Sequence, residues 1–139
     1  MNFLERFLEK HGPFDGVMGM CEGGATLQAV MFENVAGLTH ALENIKFHIH
    51  IAPWTTPLSR PNMLSIPTLV ISGHHDIEPF PEMLSQYKKN FNGFYSVCMH
   101  NGGHNYPRVT SSVKSKILEL LTAAYPPQSM NSSTEQWAV

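Results

Sequence analysis

Cys21 stands between two glycines in the run Gly19-Met20-Cys21-Glu22-Gly23, with Gly24 following. Glycine two places before and two places after a nucleophile has a steric cause. A nucleophile presented on a sharp strand-to-helix turn sits in a strained backbone conformation, and side chains at the flanking positions would strike neighbouring backbone. At the start of a helix, Cys21 would also feel the partial positive charge that favours a thiolate. The adjacent Glu22 works against that. A nucleophile needs a base, and the base needs an orienting group. Asp76 lies in Gly73-His74-His75-Asp76 and His104 lies in Gly102-Gly103-His104. The order Cys21, Asp76, His104 is one in which such triads occur along a chain. The backbone N–H of Glu22 is then the expected donor to a developing oxyanion.

Each of these residues has a plainer alternative. For Cys21 the lesser alternative is an inert, half-buried thiol in a tight glycine turn, whereas Asp76 taken singly reads equally as a turn or cap residue and His104 as a loop histidine. Their joint order, rather than any one of them, favours chemistry.

The elements around them are those the chemistry requires. Phe3, Leu4, Phe7 and Leu8 mark one face of a short helix closed by His11-Gly12-Pro13. Asp15 to Met20 reads as a short buried strand, and Ala25 to Phe32 as a helix apolar on nearly every side. Leu38, Ala41, Leu42 and Ile45 have helical spacing. Phe47, Ile49 and Ile51 alternate with His48 and His50, which is strand periodicity. Pro53 to Pro61 is a loop. Thr68 to Ser72 is a β-branched run stopped by Gly73, and Pro81 to Asn90 suits a helix. Phe94 to Met99 is a further strand, and Val109 to Ala124 a closing helix. Strands alternating with helices predict an α/β fold: a mostly parallel sheet of about four strands with helices on both faces. Asp76 and His104 then follow the carboxyl ends of two strands, where open α/β sheets gather their sites.

The 139 residues suit one domain, expected over residues 1–125 with a flexible tail over 126–139. Hydrophobic residues make up 42% and charged residues 14%, proportions that fit a packed core rather than a disordered chain. A net charge of −2 without a basic run gives no footing for nucleic acid or an anionic membrane. No stretch approaches the roughly 20 apolar residues that span a bilayer, and residues 1–10 do not read as a signal peptide. Cys21 and Cys98 have neither disulfide-framework nor zinc spacing, so reduced thiols in a cytoplasmic protein are expected. Cys98, inside a strand, is expected to be a small core residue. Of the eight histidines, His48 and His50 share a strand face, His74 and His75 adjoin Asp76, and His100 precedes His104 by four. Spacing alone does not make a metal site of them, and they are expected to be polar lining near strand ends. His74 or His75 competes with His104 as the partner of Asp76. Trp54, Phe80 and Tyr106 read equally as pocket or surface aromatics.

Together these residues resemble the FSH family of α/β serine hydrolases. The likeness runs from Gly12-Pro13-Phe14-Asp15-Gly16-Val17 through the turn at Cys21. It resumes at Ile66-Pro67-Thr68-Leu69 through Gly73 and Asp76, and ends at Gly102-Gly103-His104 and Pro107. The resemblance implies an α/β-hydrolase fold, and the roles of nucleophile for Cys21, orienting acid for Asp76 and base for His104. It implies action on a carboxylic ester, thioester or lactone with no cofactor and no metal. Two departures stand out. The family nucleophile is a serine, usually followed by glutamine, where this chain has Cys21-Glu22; the related dienelactone hydrolases use cysteine in a similar glycine frame. The family fold also begins with strands that precede the first helix read here, and an early loop there supplies a second oxyanion donor. The edge of the Gly16 to Met20 strand is then expected to be open, and an open apolar edge invites a homo-oligomer or a complementing partner. The competing readings are a catalytically inactive, N-terminally truncated paralogue serving as an interaction or oligomerising module, and a histidine-based metal binder.

Overall fold

A computed structural model of the protein describes residues 3–33, 44–53, 65–76, 84–85, 88–89 and 91–127. Among the described residues, four strands form one sheet in the order β1 (Gly16–Met20), β2 (Phe47–Ile51), β3 (Thr68–Gly73) and β4 (Tyr95–His100), every pairing parallel. Helix α1 (Phe3–His11) precedes β1, α2 (Glu22–Glu33) follows it directly, and α3 (Ser111–Ala124) closes the described chain. The expected α/β architecture is present. The second short helix read over residues 38–45 lies almost entirely outside the described residues. So do Trp54, Phe80, most of the Pro53–Pro61 loop, most of the Pro81–Asn90 helix, and the tail from residue 128 onward.

Register explains how the sheet is covered. Residues one apart on a strand point to opposite faces. Ile51, Leu69, Ile71 and Cys98 share one face and form the main core with Val113 and Leu120 of α3. His48, His50 and Val70 share the other face, where Gly24 of α2 lies against the His50 ring. Helices therefore cover both sides. The β3 strand is buried along its whole length, as a central parallel strand must be. Its β-branched run Thr68-Leu69-Val70-Ile71 suits that position.

Several boundaries differ from the sequence reading. β1 begins at Gly16 rather than Asp15, α2 spans Glu22–Glu33 rather than Ala25 to Phe32, and β3 runs on to Gly73. The last strand begins at Tyr95 rather than Phe94 and reaches His100. Helix α3 begins at Ser111 because Thr110, in an extended conformation, caps it by accepting a hydrogen bond from Val113 N–H. At the amino ends of the strands, Lys46 Nζ is 2.6 Å from Asp15 Oδ1 and lies 5.0 Å over the Tyr125 ring. This joins the starts of β1 and β2 to the end of α3. It is an exposed pair, and such pairs contribute little to stability.

β1 is an edge strand among the described residues. Met18, at its centre, is 61% exposed. Beside it runs an apolar groove of about 600 Å³ whose lining includes Leu4, Phe7, Phe14, Met18, Leu27 and Tyr106.

Candidate active site

The turn after β1 carries the strain expected of a presented nucleophile. Cys21 has φ 51°, a left-handed conformation that costs a residue with a Cβ on the order of 1–2 kcal/mol. Local bonds hold it there. Cys21 N–H donates to Ile51 O at 3.0 Å, and Ala25 N–H donates to Cys21 O at 3.0 Å. The flanking glycines follow from crowding. A Cβ on Gly19 would stand 2.5 Å from Gly24 Cα, backbone against backbone, and one on Gly24 would enter the His50 ring. Gly23 is different: nothing lies within 4 Å of a Cβ there. Of the glycine frame, Gly19 and Gly24 are the sterically required members.

Asp76 and His104 are brought together by the loops after β3 and β4. The ladder between these strands continues past their ends, with His74 N–H donating to His100 O at 2.9 Å and His75 N–H to Gly102 O at 3.0 Å. Gly73 permits this closeness, because a Cβ there would collide with the carbonyl oxygens of Gly102 and Gly103. The result is a contact of 2.9 Å between His104 Nδ1 and Asp76 Oδ1. The Asp76 side chain is only 2% exposed, whereas that of His104 is 30% exposed. A buried carboxylate fixing one ring nitrogen leaves the other edge of a half-exposed imidazole available for proton transfer. His74 and His75 are exposed, and the partner seen on Asp76 Oδ1 is His104.

The remaining histidines correct part of the sequence reading. His48 and His50 are not polar lining: both are wholly buried, their rings 5.6 Å apart. Burial lowers the His48 pKa to about 3, with the neighbouring His50 adding to the effect. Burial likewise lowers that of His50 to about 4, opposed by a hydrogen bond to the Cys21 backbone. A bond that favours the protonated ring is one in which the ring donates, so the acceptor is the Cys21 carbonyl. The alternating pattern of β2 marks His50 as a strand residue but does not mark this contact. His100 turns its Nδ1 to accept from Gly102 N–H at 3.1 Å, shaping the His104 loop. Among the described residues, no three His, Cys, Asp or Glu side chains converge as metal ligands. Cys98 is buried in the main core, with Sγ 3.9 Å from Ser112 Oγ. No described helix is long and apolar enough to cross a membrane.

The family described as Serine hydrolase (FSH1) matches residues 1–116. No curated protein matches the chain. Among solved structures, the chain is similar to the protein Atu2452 of unknown function from Agrobacterium tumefaciens str. C58, at 19% identity and a TM-score of 0.50. That likeness covers 78% of this chain and 50% of the other, so the chain spans about half the length of the structure it matches. At such identity the likeness speaks for the fold alone.

Proposed function

Because the chain belongs to the FSH1 serine hydrolase family, we propose that it hydrolyses a carboxylic ester, thioester or lactone through Cys21, His104 and Asp76. Cys21 Sγ attacks the carbonyl carbon while His104 accepts the thiol proton. The electron pair of the broken π bond moves to the oxygen, which the N–H of Glu22 stabilises. The tetrahedral intermediate collapses by breaking the bond to the leaving alcohol or thiol, which takes the proton from His104. Water, deprotonated by His104, then attacks the resulting thioester on Cys21 and releases the acid and the free enzyme. Asp76 holds the imidazole in the tautomer these steps need and stabilises its charged form. No step calls for a cofactor or metal.

The single observation that carries this reading is the 2.9 Å contact of a buried Asp76 with a half-exposed His104, beyond the carboxyl ends of β3 and β4. The left-handed turn at Cys21 occupies the same end of the sheet. Free thiols at Cys21 and Cys98 are in keeping with a reducing, cytoplasmic setting.

A short-chain p-nitrophenyl ester tests the proposal. Turnover that is blocked by iodoacetamide, indifferent to chelator and lost in Cys21→Ala is the expected outcome. Turnover unchanged in Cys21→Ala would sink it.

A second reading is favoured by the exposed edge of β1 and its apolar groove. An edge strand presents unpaired main-chain groups to any complementary strand. On this reading the chain self-associates through β1, with or without catalysis. A folded, self-associating protein without esterase activity supports this reading over the first.

A further inference from the structure

The peptide unit joining Cys21 to Glu22 has two polar ends with different tasks. Its N–H is the donor proposed for the oxyanion. Its C=O belongs to Cys21, accepts from Ala25 N–H at 3.0 Å, and receives the ring N–H of His50. In a planar trans peptide these two ends point in opposite directions. Whatever draws the carbonyl inward therefore aims the N–H outward. His50 is built to do this: it is wholly buried, fixed on a central strand, and seated against Gly24, where any Cβ would displace its ring. Its neighbour in sequence, Ile51, receives the N–H of Cys21 through its carbonyl oxygen at 3.0 Å. The end of β2 thus grips the turn at both the N–H and the C=O of Cys21.

We infer that His50 is a positioning residue for the oxyanion donor, pinning the Cys21 carbonyl so that the Glu22 N–H faces the substrate. The inference rests on Cys21 acting as the nucleophile. Burial keeps the ring neutral at neutral pH, so it remains a one-donor group with a fixed task. It touches neither substrate nor reacting atoms, and acts only through the Cys21–Glu22 peptide.

His50→Phe keeps the ring and removes the donor, and His50→Gln restores a donor. His50→Leu serves as a second donorless variant if His50→Phe does not fold, with folding checked by circular dichroism. The rate at which iodoacetamide alkylates Cys21 reports the thiol without calling on an oxyanion. Protection of Cys21 by butanal reports the oxyanion donor, because the aldehyde carbon bonds to Sγ and its oxygen takes up the charge and then the proton. In His50→Phe, alkylation should proceed as in the wild type. Protection by butanal should weaken roughly tenfold or more, with kcat falling in step and KM little changed. His50→Gln should recover most of both. Wild-type protection and kcat in His50→Phe overturn the inference. So does a parallel loss of alkylation and protection, which marks a general collapse of the turn. If butanal fails to protect even the wild type, the nucleophile reading fails first, and the role of His50 falls with it.

Discussion

On the proposed function, Asp76 serves His104 as an acceptor at Nδ1. An amide at that position fits the space but can offer an N–H to the same ring nitrogen, favouring the wrong tautomer. Asp76→Asn should therefore lower kcat on the order of 10³–10⁴, with KM nearly unchanged, in the p-nitrophenyl ester assay. The buried histidines of β2 set a different limit. In the unfolded chain His48 and His50 titrate near the ordinary value of 6.5, but in the fold only near 3 and 4. Both pKa values are depressed by folding, so the unfolded chain binds more protons throughout that window. Stability is then full above the unfolded pKa and lost as pH falls toward the folded values. The loss approaches about 1.4 kcal/mol per pH unit for each histidine. Urea denaturation between pH 7 and pH 4 should show this slope, and His48→Phe should remove about half of it. The positions of Cys21, Asp76 and His104 just beyond three strand ends were legible in the sequence, because each follows a strand run. The bond from His50 to the turn was not. The alternation Phe47-His48-Ile49-His50-Ile51 describes polar lining and buried histidines equally well, and only α2 packed over that face decides between them.

At the scale of elements, the sequence was clearest where packing and local pattern agree. Thr68 to Ser72 reads as a β-branched strand stopped by Gly73, and the strand Thr68–Gly73 is buried throughout. Val109 and Thr110 continue the apolar and polar pattern of α3, but the Thr110 hydroxyl caps the helix so that it starts at Ser111. The join between β1 and α2 depends on backbone packed on backbone. Gly19→Ala would drive a methyl into Gly24, where no side chain can rotate aside. The expected outcome is a loss of about 2 kcal/mol or more of stability, or failure to fold, measured by denaturant titration. Gly23→Ala meets nothing at its Cβ and should fold as the wild type does. The two outer glycines of the motif look equivalent in the sequence and are separated only by the neighbours each one has.

At the scale of the whole molecule, the β1 edge is open among the described residues. An antiparallel pairing of two β1 strands would cover Met18, Phe7 and the groove between them, with no charged side chain of β1 to oppose it. Sedimentation across a wide concentration range should show a reversible oligomer. Met18→Lys, which places a charge at the centre of that edge, should shift it to monomer while leaving the fold intact. An invariant monomer in the wild type would remove this surface from consideration.

The all-parallel sheet also governs when a working site can exist during folding. No two of its strands form a hairpin: Met18 finds Ile49, Ile49 finds Leu69, and Leu69 finds Ser96, each across an intervening stretch of chain. Contacts of such long sequence separation form slowly, because loop closure must precede any gain from pairing. The turn at Cys21 leans on the end of β2, and the Asp76–His104 contact exists only once β3 and β4 have paired. On the proposed function, thiol, acid and base reach their places only as the sheet is completed, and a partly folded chain carries a cysteine without the means to use it.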